Sequence, residues 1–231
     1  MLSRKFLIEQ KECCGNGCFM CPYEPKHIRG SVKVNRKNIL IVCALEQEVN
    51  GKLDGWNVIY TGVGKVNATY ELSAELFLSA MLKDKRGLPD LVINFGTAGS
   101  RNIPINTLVD CTQFIQRDMD ATGLGFIKGQ TPFEDELIVD FSNINNPIGN
   151  GYVCGSGDSF VENIDNEMEH IDIFDMEAYA LAKTSWKAGV DFVSYKYITD
   201  NVNDSSADDW EKNCGKGVEE FKKVLEYYDN N

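Results

Sequence analysis

Residues 171–201, IDIFDMEAYALAKTSWKAGVDFVSYKYITDN, read as strand, helix, strand, an order that commits the chain to an α/β fold. Residues 171–174 are a short apolar run that stops at Asp175. Met176, Ala180, Leu181 and Trp186 then recur at roughly helical spacing, and Gly189 supplies a C-terminal cap. Residues 192–198 are rich in β-branched and aromatic side chains, which marks the second strand. Two acids fall where these elements change over: Glu177 just inside the helix and Asp200 just past the second strand. Ligands of α/β sheets bind at the carboxyl ends of the strands, so both acids are expected at one crevice. Alone, neither marks a site. A Glu in a first helical turn also suits the helix dipole, and an Asp after a strand also caps a turn.

A chain of 231 residues is long enough for one large α/β domain with a full core. Its 43% apolar and 25% charged residues are the proportions of a soluble globular protein. A formal net charge of −12 argues against a nucleic-acid partner, because phosphates would be repelled. No apolar run reaches bilayer length, and MLSRKFLIEQKE lacks the apolar core of a secretory signal. No membrane partner and a cytoplasmic location are therefore expected. Cys43, Cys111 and Cys154 fall in or beside apolar runs, as small buried hydrophobes do in a reduced compartment.

Residues 1–37 differ from the rest. Cys13, Cys14, Cys18 and Cys21 cluster there among Gly, Pro and basic residues. Cys18-x-x-Cys21 with the upstream pair would set three or four thiolates around one ion. Soft sulfur ligands at short spacing suit Zn or an iron–sulfur centre, with His27 as a further ligand. The alternative is a flexible tail with incidental thiols, since no second CxxC pair exists. The segment is similar to short CCGxGCxxCPY-type cysteine motifs at the ends of some small oxidoreductase-like proteins, from which no role carries over. The expected organisation is a Cys-rich N-terminal extension over 1–37 and a catalytic domain over 38–231.

Within that domain, residues 39–44 read as a buried strand followed by acids that open a short helix or turn, and residues 56–60 as a second strand. A Gly-rich turn, TGVGK, leads into an amphipathic helix whose apolar side is assigned to Tyr70, Leu72, Ala74, Leu76, Phe77 and Met81. The turn lacks both the spacing and the hydroxyl of a Walker loop, so no nucleoside triphosphate is expected. Residues 89–99 read as a third strand breaking into a turn at Gly96-Thr97-Ala98-Gly99, where small residues let a ligand approach the backbone. Residues 108–115 form another strand, followed by the long loop RDMDATGLGFIKGQTPFE. Residues 152–154 close a strand before GSGDSFVEN, in which Phe160 offers an aromatic face. Ser205 or Ser206 caps a helical region ending near Tyr228, with Val218, Phe221, Val224 and Leu225 on its inner side.

Five segments thus stand in order: ALEQEV, TGVGKVNA, NFGTAGS, SGDSFVEN, and DMEAYALA followed by ITDN. Together they resemble the purine nucleoside phosphorylase/uridine phosphorylase superfamily, and within it the 5′-methylthioadenosine/S-adenosylhomocysteine nucleosidases. The likeness covers roughly residues 38–228. It implies a three-layer α/β/α fold around a central mixed β-sheet, a small-molecule nucleoside substrate, no cofactor for catalysis, and a homodimer in which the loop over residues 121–126 closes the neighbour's 5′ pocket. Matched one position at a time, Glu48 is the acid that activates water, and Thr97, with Ala98 and Gly99 beside it, lies by the ribose. Phe160 stacks on the base and Val161 meets its edge. Met176 and Glu177, preceded by Asp175, lie under the ribose, and Asp200 protonates purine N7 and recognises the 6-amino group.

The chemistry of the residues agrees with these roles. Breaking an N-glycosidic bond builds positive charge on the sugar and negative charge on the leaving base. It needs an acid near the base, a carboxylate near the sugar and a base for water. A phosphorylase would instead hold a phosphate dianion, for which Arg101, Arg117 and Lys65 are the candidates. Glu48 and the Ala-Gly-Ser after Thr97 favour water, and an Asp at position 200 favours adenine. A non-catalytic nucleoside-binding protein is the remaining alternative. The chain departs from the family pattern in three places: it is short between Glu48 and Thr61, it has DMEA where EMEA is usual, and it carries the Cys-rich extension.

Overall fold

The computed structural model describes residues 7, 10–18, 21–24, 26–31, 33–34, 38–81, 87–163 and 169–230. Near the N-terminus β1 (Tyr23–Glu24) and β2 (Lys33–Val34) pair antiparallel. The main sheet comprises β3 (Ile39–Cys43), β4 (Asn57–Tyr60), β5 (Leu91–Gly99), β6 (Leu108–Gln116), β7 (Val139–Asp140), β8 (Tyr152–Ser156), β9 (Ile173–Asp175) and β10 (Asp191–Asp200). Its order is β10-β6-β8-β9-β5-β3-β4, with β7 attached to β6. Strand β10 also pairs with β5 in parallel, so β5, β10, β6, β8 and β9 close into a ring. The pairings are mixed: β3 lies parallel to β4 and β5, whereas β6 runs antiparallel to β10.

Successive side chains of a strand point to opposite faces, and here both faces are apolar. Leu40, Val42, Val92, Phe192 and Ile198 join one core cluster, while Ile39, Ile41, Ile93, Phe95, Val193 and Tyr195 join the other. Each face therefore needs its own cover. Helices α1 (Lys65–Met81) and α2 (Ala178–Ala188) supply it on the first face through Ala68, Leu72, Leu76 and residues 178–182. Helix α4 (Val218–Asn230) covers the second through Val218, Phe221, Val224 and Leu225, with Phe221 stacked on Phe95 at 4.3 Å. Helix α3 (Ser206–Asn213) lies against β10. The result is the expected three-layer α/β/α arrangement around a mixed sheet. Each fully buried Leu or Phe on these faces contributes on the order of 1.5–3 kcal/mol.

Local chemistry sets the ends of α2. Asp175 Oδ2 accepts the Ala178 N–H at 2.9 Å at its start. At its close Gly189 adopts φ 70° and returns its N–H to Ser185 and Trp186, a left-handed cap that glycine takes without strain.

Several expectations need correction. The buried stripe of α1 is Ala68, Leu72 and Leu76, whereas Tyr70, Phe77 and Met81 are exposed. Apolar residues occur on both sides of this helix, and spacing alone did not say which side meets the sheet. Gly96-Thr97-Ala98-Gly99 is not a turn but the last stretch of β5, paired with β10. The terminal helical region is two helices, α3 and α4.

The expected thiolate metal centre is likewise unsupported. A tetrahedral site gathers four ligands about one point. Here Cys13 and Cys21 form a buried pair with sulfurs 3.5 Å apart, and Cys14 and Cys18 a second pair at 3.6 Å. His27 points its Nε2 at the Cys18 carbonyl, 3.0 Å away. Among the described residues no group of three or more His, Cys, Asp or Glu side chains is placed to hold a metal. Cys13, Cys21 and Tyr23 instead form a small core cluster of their own. The expected boundary at residue 37 lies outside the described residues.

Candidate active site

The carboxyl ends of β5, β9 and β10 and the turn after β3 converge on one cavity of about 250 Å³. Its lining includes Glu48, Thr97, Ala98, Gly99, Phe160, Val161, Asp175, Met176, Glu177 and Asp200. Every nucleoside-site residue expected from the sequence therefore lies at one place.

Glu48 ends the 3-10 turn Glu46–Glu48 that follows β3 and is buried. Its Oε2 accepts the N–H groups of Ala44 and Leu45 at 3.1 and 3.0 Å. Its Oε1 accepts the Thr97 N–H at 2.8 Å and the Thr97 hydroxyl at 3.0 Å. Trp210 of α3 donates its indole N–H to the same Thr97 oxygen at 2.9 Å. An indole can only donate, so the Thr97 hydroxyl proton is left to point at Glu48. Gly96 leaves little room beside this pair, since a Cβ there would stand 3.0 Å from Glu48 Oε1.

Opposite lies a second group of charges. Asp175 closes β9 with its carboxylate spent on the Ser156 hydroxyl, the Ala178 N–H and the Lys196 ammonium, the last at 2.7 Å. Burial opposes its ionisation, yet Lys196 and these hydrogen bonds hold its carboxyl below the usual range. Burial also works against the Lys196 charge, and the facing Asp175 carboxylate holds the ammonium above its usual range. Glu177, at the N-terminal cap of α2, accepts the Gly64 N–H at 2.7 Å. Burial first, then the Asp175 charge, push its carboxyl up to about 7, with Lys196 acting the other way.

Asp200 closes β10, buried. Its Oδ1 accepts the Val202 N–H at 3.0 Å, and the Thr199 hydroxyl is 3.0 Å from its Oδ2. A Cβ on Gly99 would stand 2.7 Å from Asp200 Oδ1, so only glycine leaves that carboxylate in place. Phe160 stands at the cavity mouth, 47% exposed, while Val161 packs on Ile171, Phe174 and Val202.

The loop carrying both is pinned from two sides. Arg117 donates to the Gly157 and Ser159 carbonyls and to the Ser159 hydroxyl. Lys65 Nζ bridges Asp118 at 2.6 Å and Asp158 at 3.0 Å. Of the three cations considered for phosphate, Lys65 is thus committed to carboxylates, Arg117 lines the cavity with its two terminal nitrogens committed to the loop, and Arg101 is exposed and does not line the cavity.

Lys196 and Trp210 escaped the sequence reading. Lys196 had a signal, as the single cation inside the apolar strand FVSYKYITD, whereas Trp210 in ADDW resembled an ordinary helix start. The loop over residues 121–126 leaves Leu124 exposed, and Phe126 packs edge-on against Phe133 at 5.4 Å.

The model of the phosphorylase superfamily matches residues 46–228. A 5′-methylthioadenosine/S-adenosylhomocysteine nucleosidase of Actinobacillus succinogenes is 30% identical over 198 residues, covering 78% of each chain. One from Haemophilus influenzae is 29% identical over 171 residues, 65% of this chain and 71% of that one. Among solved structures, a Helicobacter pylori nucleosidase variant with 5′-methylthioadenosine in its active site superposes with a TM-score of 0.69 at 20% identity, covering 83% of this chain and 97% of that one. A futalosine hydrolase of the same organism gives 0.68 at 19% identity over the same shares. At such identities the superpositions show the fold.

Proposed function

Because the chain belongs to the phosphorylase superfamily, we propose that it is an N-ribohydrolase that cleaves the glycosidic bond of an adenine nucleoside and releases adenine. One observation carries the reading above the others: Glu48, Glu177 and Asp200, remote in sequence, line one cavity with Phe160 at its mouth. The purine stacks on Phe160 with its edge along the backbone of Val161. Glu177 accepts the ribose hydroxyls, and Met176 lies beneath the sugar with Ala98 and Gly99 alongside. Asp175 holds Lys196 and the start of α2, and so keeps Glu177 in place. Water enters beside Glu48 and Thr97, gives a proton to the Glu48 carboxylate and attacks the anomeric carbon as the bond to the base breaks. Asp200, carrying a proton, transfers it to N7 so that adenine leaves neutral.

Water is preferred to phosphate as nucleophile because Lys65 and the two terminal nitrogens of Arg117 are already bound to protein oxygens. No cofactor takes part in these steps. The working unit is a homodimer: Val66, Tyr70, Phe77 and Met81 lie exposed within about 60° of one side of α1, an apolar stripe suited to a second copy. Incubation with 5′-methylthioadenosine, with and without phosphate, tests the proposal. Adenine release in phosphate-free buffer is expected. Release only with phosphate makes the protein a phosphorylase, and none from any adenine nucleoside leaves a binding protein.

A further inference from the structure

A second cluster of nucleophilic side chains lies near the N-terminus, and cleavage of a nucleoside makes no use of it. Cys14 is exposed and Cys18 half-buried, with sulfurs 3.6 Å apart. Cys13 and Cys21 are buried, with sulfurs 3.5 Å apart. All four are free thiols. A disulfide needs its sulfurs at about 2.05 Å, so each pair has only about 1.5 Å to close.

The backbone sets both contacts. The Gly15-Asn16-Gly17 link that returns Cys18 to Cys14 turns through two left-handed glycines, at φ 75° and 67°. Cys13 donates its N–H to the Ser31 carbonyl at 2.8 Å and accepts the Gly30 N–H at 2.9 Å. The Cys18 carbonyl accepts the Cys21 N–H at 3.1 Å. The core so framed is Cys13, Cys21 and Tyr23, with Cys18 packed on it. A hydrophobic cluster this small contributes little stability by itself, and units of under about 40 residues are commonly cross-linked.

The exposed pair is also chemically uneven. The Asn16 N–H and then the Cys18 thiol hold the Cys14 thiol below its ordinary range, so it carries more thiolate than a free cysteine. Cys18 is pushed the other way, by Cys14 and by burial. Such a pair has one sulfur ready to attack and a second held back beside it.

We propose that this cluster is a thiol–disulfide exchange site in which Cys14 attacks small aliphatic disulfides and Cys18 resolves the product. The Cys14 thiolate bonds to one sulfur of the small disulfide and expels the other as a thiolate. Cys18 gives up its proton, attacks the Cys14 sulfur and expels the second thiolate, which closes the Cys14–Cys18 bond. The protein loses two electrons and two protons, and the small disulfide takes up both to leave as two thiols. Cys13 and Cys21 follow by the same exchange, more slowly because they are buried. The site stands apart from the nucleosidase reading and survives its failure.

The reduced full chain, its metal content measured first, is incubated with oxidised glutathione at neutral pH. Samples quenched with N-ethylmaleimide at intervals are mapped by peptide mass spectrometry. The Cys14–Cys18 disulfide is expected first and Cys13–Cys21 later, with Cys43, Cys111 and Cys154 still reduced. Cys18→Ser should stop at a Cys14–glutathione adduct, and Cys14→Ser should slow modification of Cys18 by at least about tenfold. Failure of the wild-type chain to form Cys14–Cys18, or Cys18→Ser without the adduct, would overturn the proposal. One bound metal ion per chain that shields the four thiols from maleimide would overturn it too.

Discussion

Replacing Glu177 by Gln is expected to stabilise the protein at pH 8 and to change it little at pH 5. The Glu177 carboxyl is pushed up to about 7 by burial and by the Asp175 charge, against 4.5 for an ordinary Glu. Folding therefore retains a proton that the unfolded chain gives up above pH 4.5. The stability this proton represents is complete below about pH 4.5 and is lost as the pH rises through about 7. A rise of roughly 2.5 units at about 1.36 kcal/mol each amounts to about 3 kcal/mol by pH 8. Gln keeps an oxygen for the Gly64 N–H and has no charge to desolvate, so it escapes that loss. Urea unfolding of both proteins at pH 5 and pH 8 reads the effect directly. The variant should gain up to about 3 kcal/mol on the wild type between the two conditions, while its adenine release falls sharply. A stability difference that does not depend on pH, or a variant weaker than wild type at pH 8, would refute the placement of a strained carboxylate here.

Other substitutions separate the roles of neighbouring groups. Asp200→Asn should slow adenine release by about 10²–10⁴ while a 7-deaza analogue still binds; a change confined to affinity would remove Asp200 from proton transfer. Lys196→Met leaves Asp175 buried without its cation and should cost about 3–5 kcal/mol in urea unfolding, and a neutral effect would show that the pair is dispensable. Gly99→Ala drives a methyl to within 2.7 Å of Asp200 Oδ1 and should lower kcat at least about tenfold with circular dichroism unchanged; wild-type turnover would mean that Asp200 need not be held there. Trp210→Phe removes one donor to Thr97 and should reduce turnover about three- to tenfold, the worth of a single hydrogen bond, with no loss expected if the indole serves only as packing.

The strands were readable because stretches such as ILIVC and FVSYKYI are short runs rich in β-branched and aromatic residues, as strands with both faces buried are, and their alternate residues enter opposite core clusters. The residues that line the candidate site were readable for a different reason: Glu48, Thr97, Phe160, Glu177 and Asp200 each sit within a local motif, and the motifs occur in a recognisable order. What escaped depended on contacts between distant segments. The inner face of α1 could not be told from its outer face, because Tyr70, Phe77 and Met81 are large and can pack in a core as Leu72 and Leu76 do. The commitment of Asp175 to Lys196 joins positions on β9 and β10 that no local pattern connects. The cysteine spacing was compatible with one four-thiolate site and equally with the two separate pairs observed. Closure of β5, β10, β6, β8 and β9 into a ring likewise follows from long-range pairing rather than from any segment's composition.

A crystal structure with a bound 7-deaza-5′-methylthioadenosine would probe the arrangement at its centre. The purine should lie against the ring of Phe160, with C7, which stands where a substrate carries N7, about 3.3–3.6 Å from an Asp200 oxygen. Both ribose hydroxyls should reach Glu177, and a water beside Glu48 should face the anomeric carbon. A purine bound elsewhere, or one whose sugar points away from Glu48 and Glu177, would contradict the account.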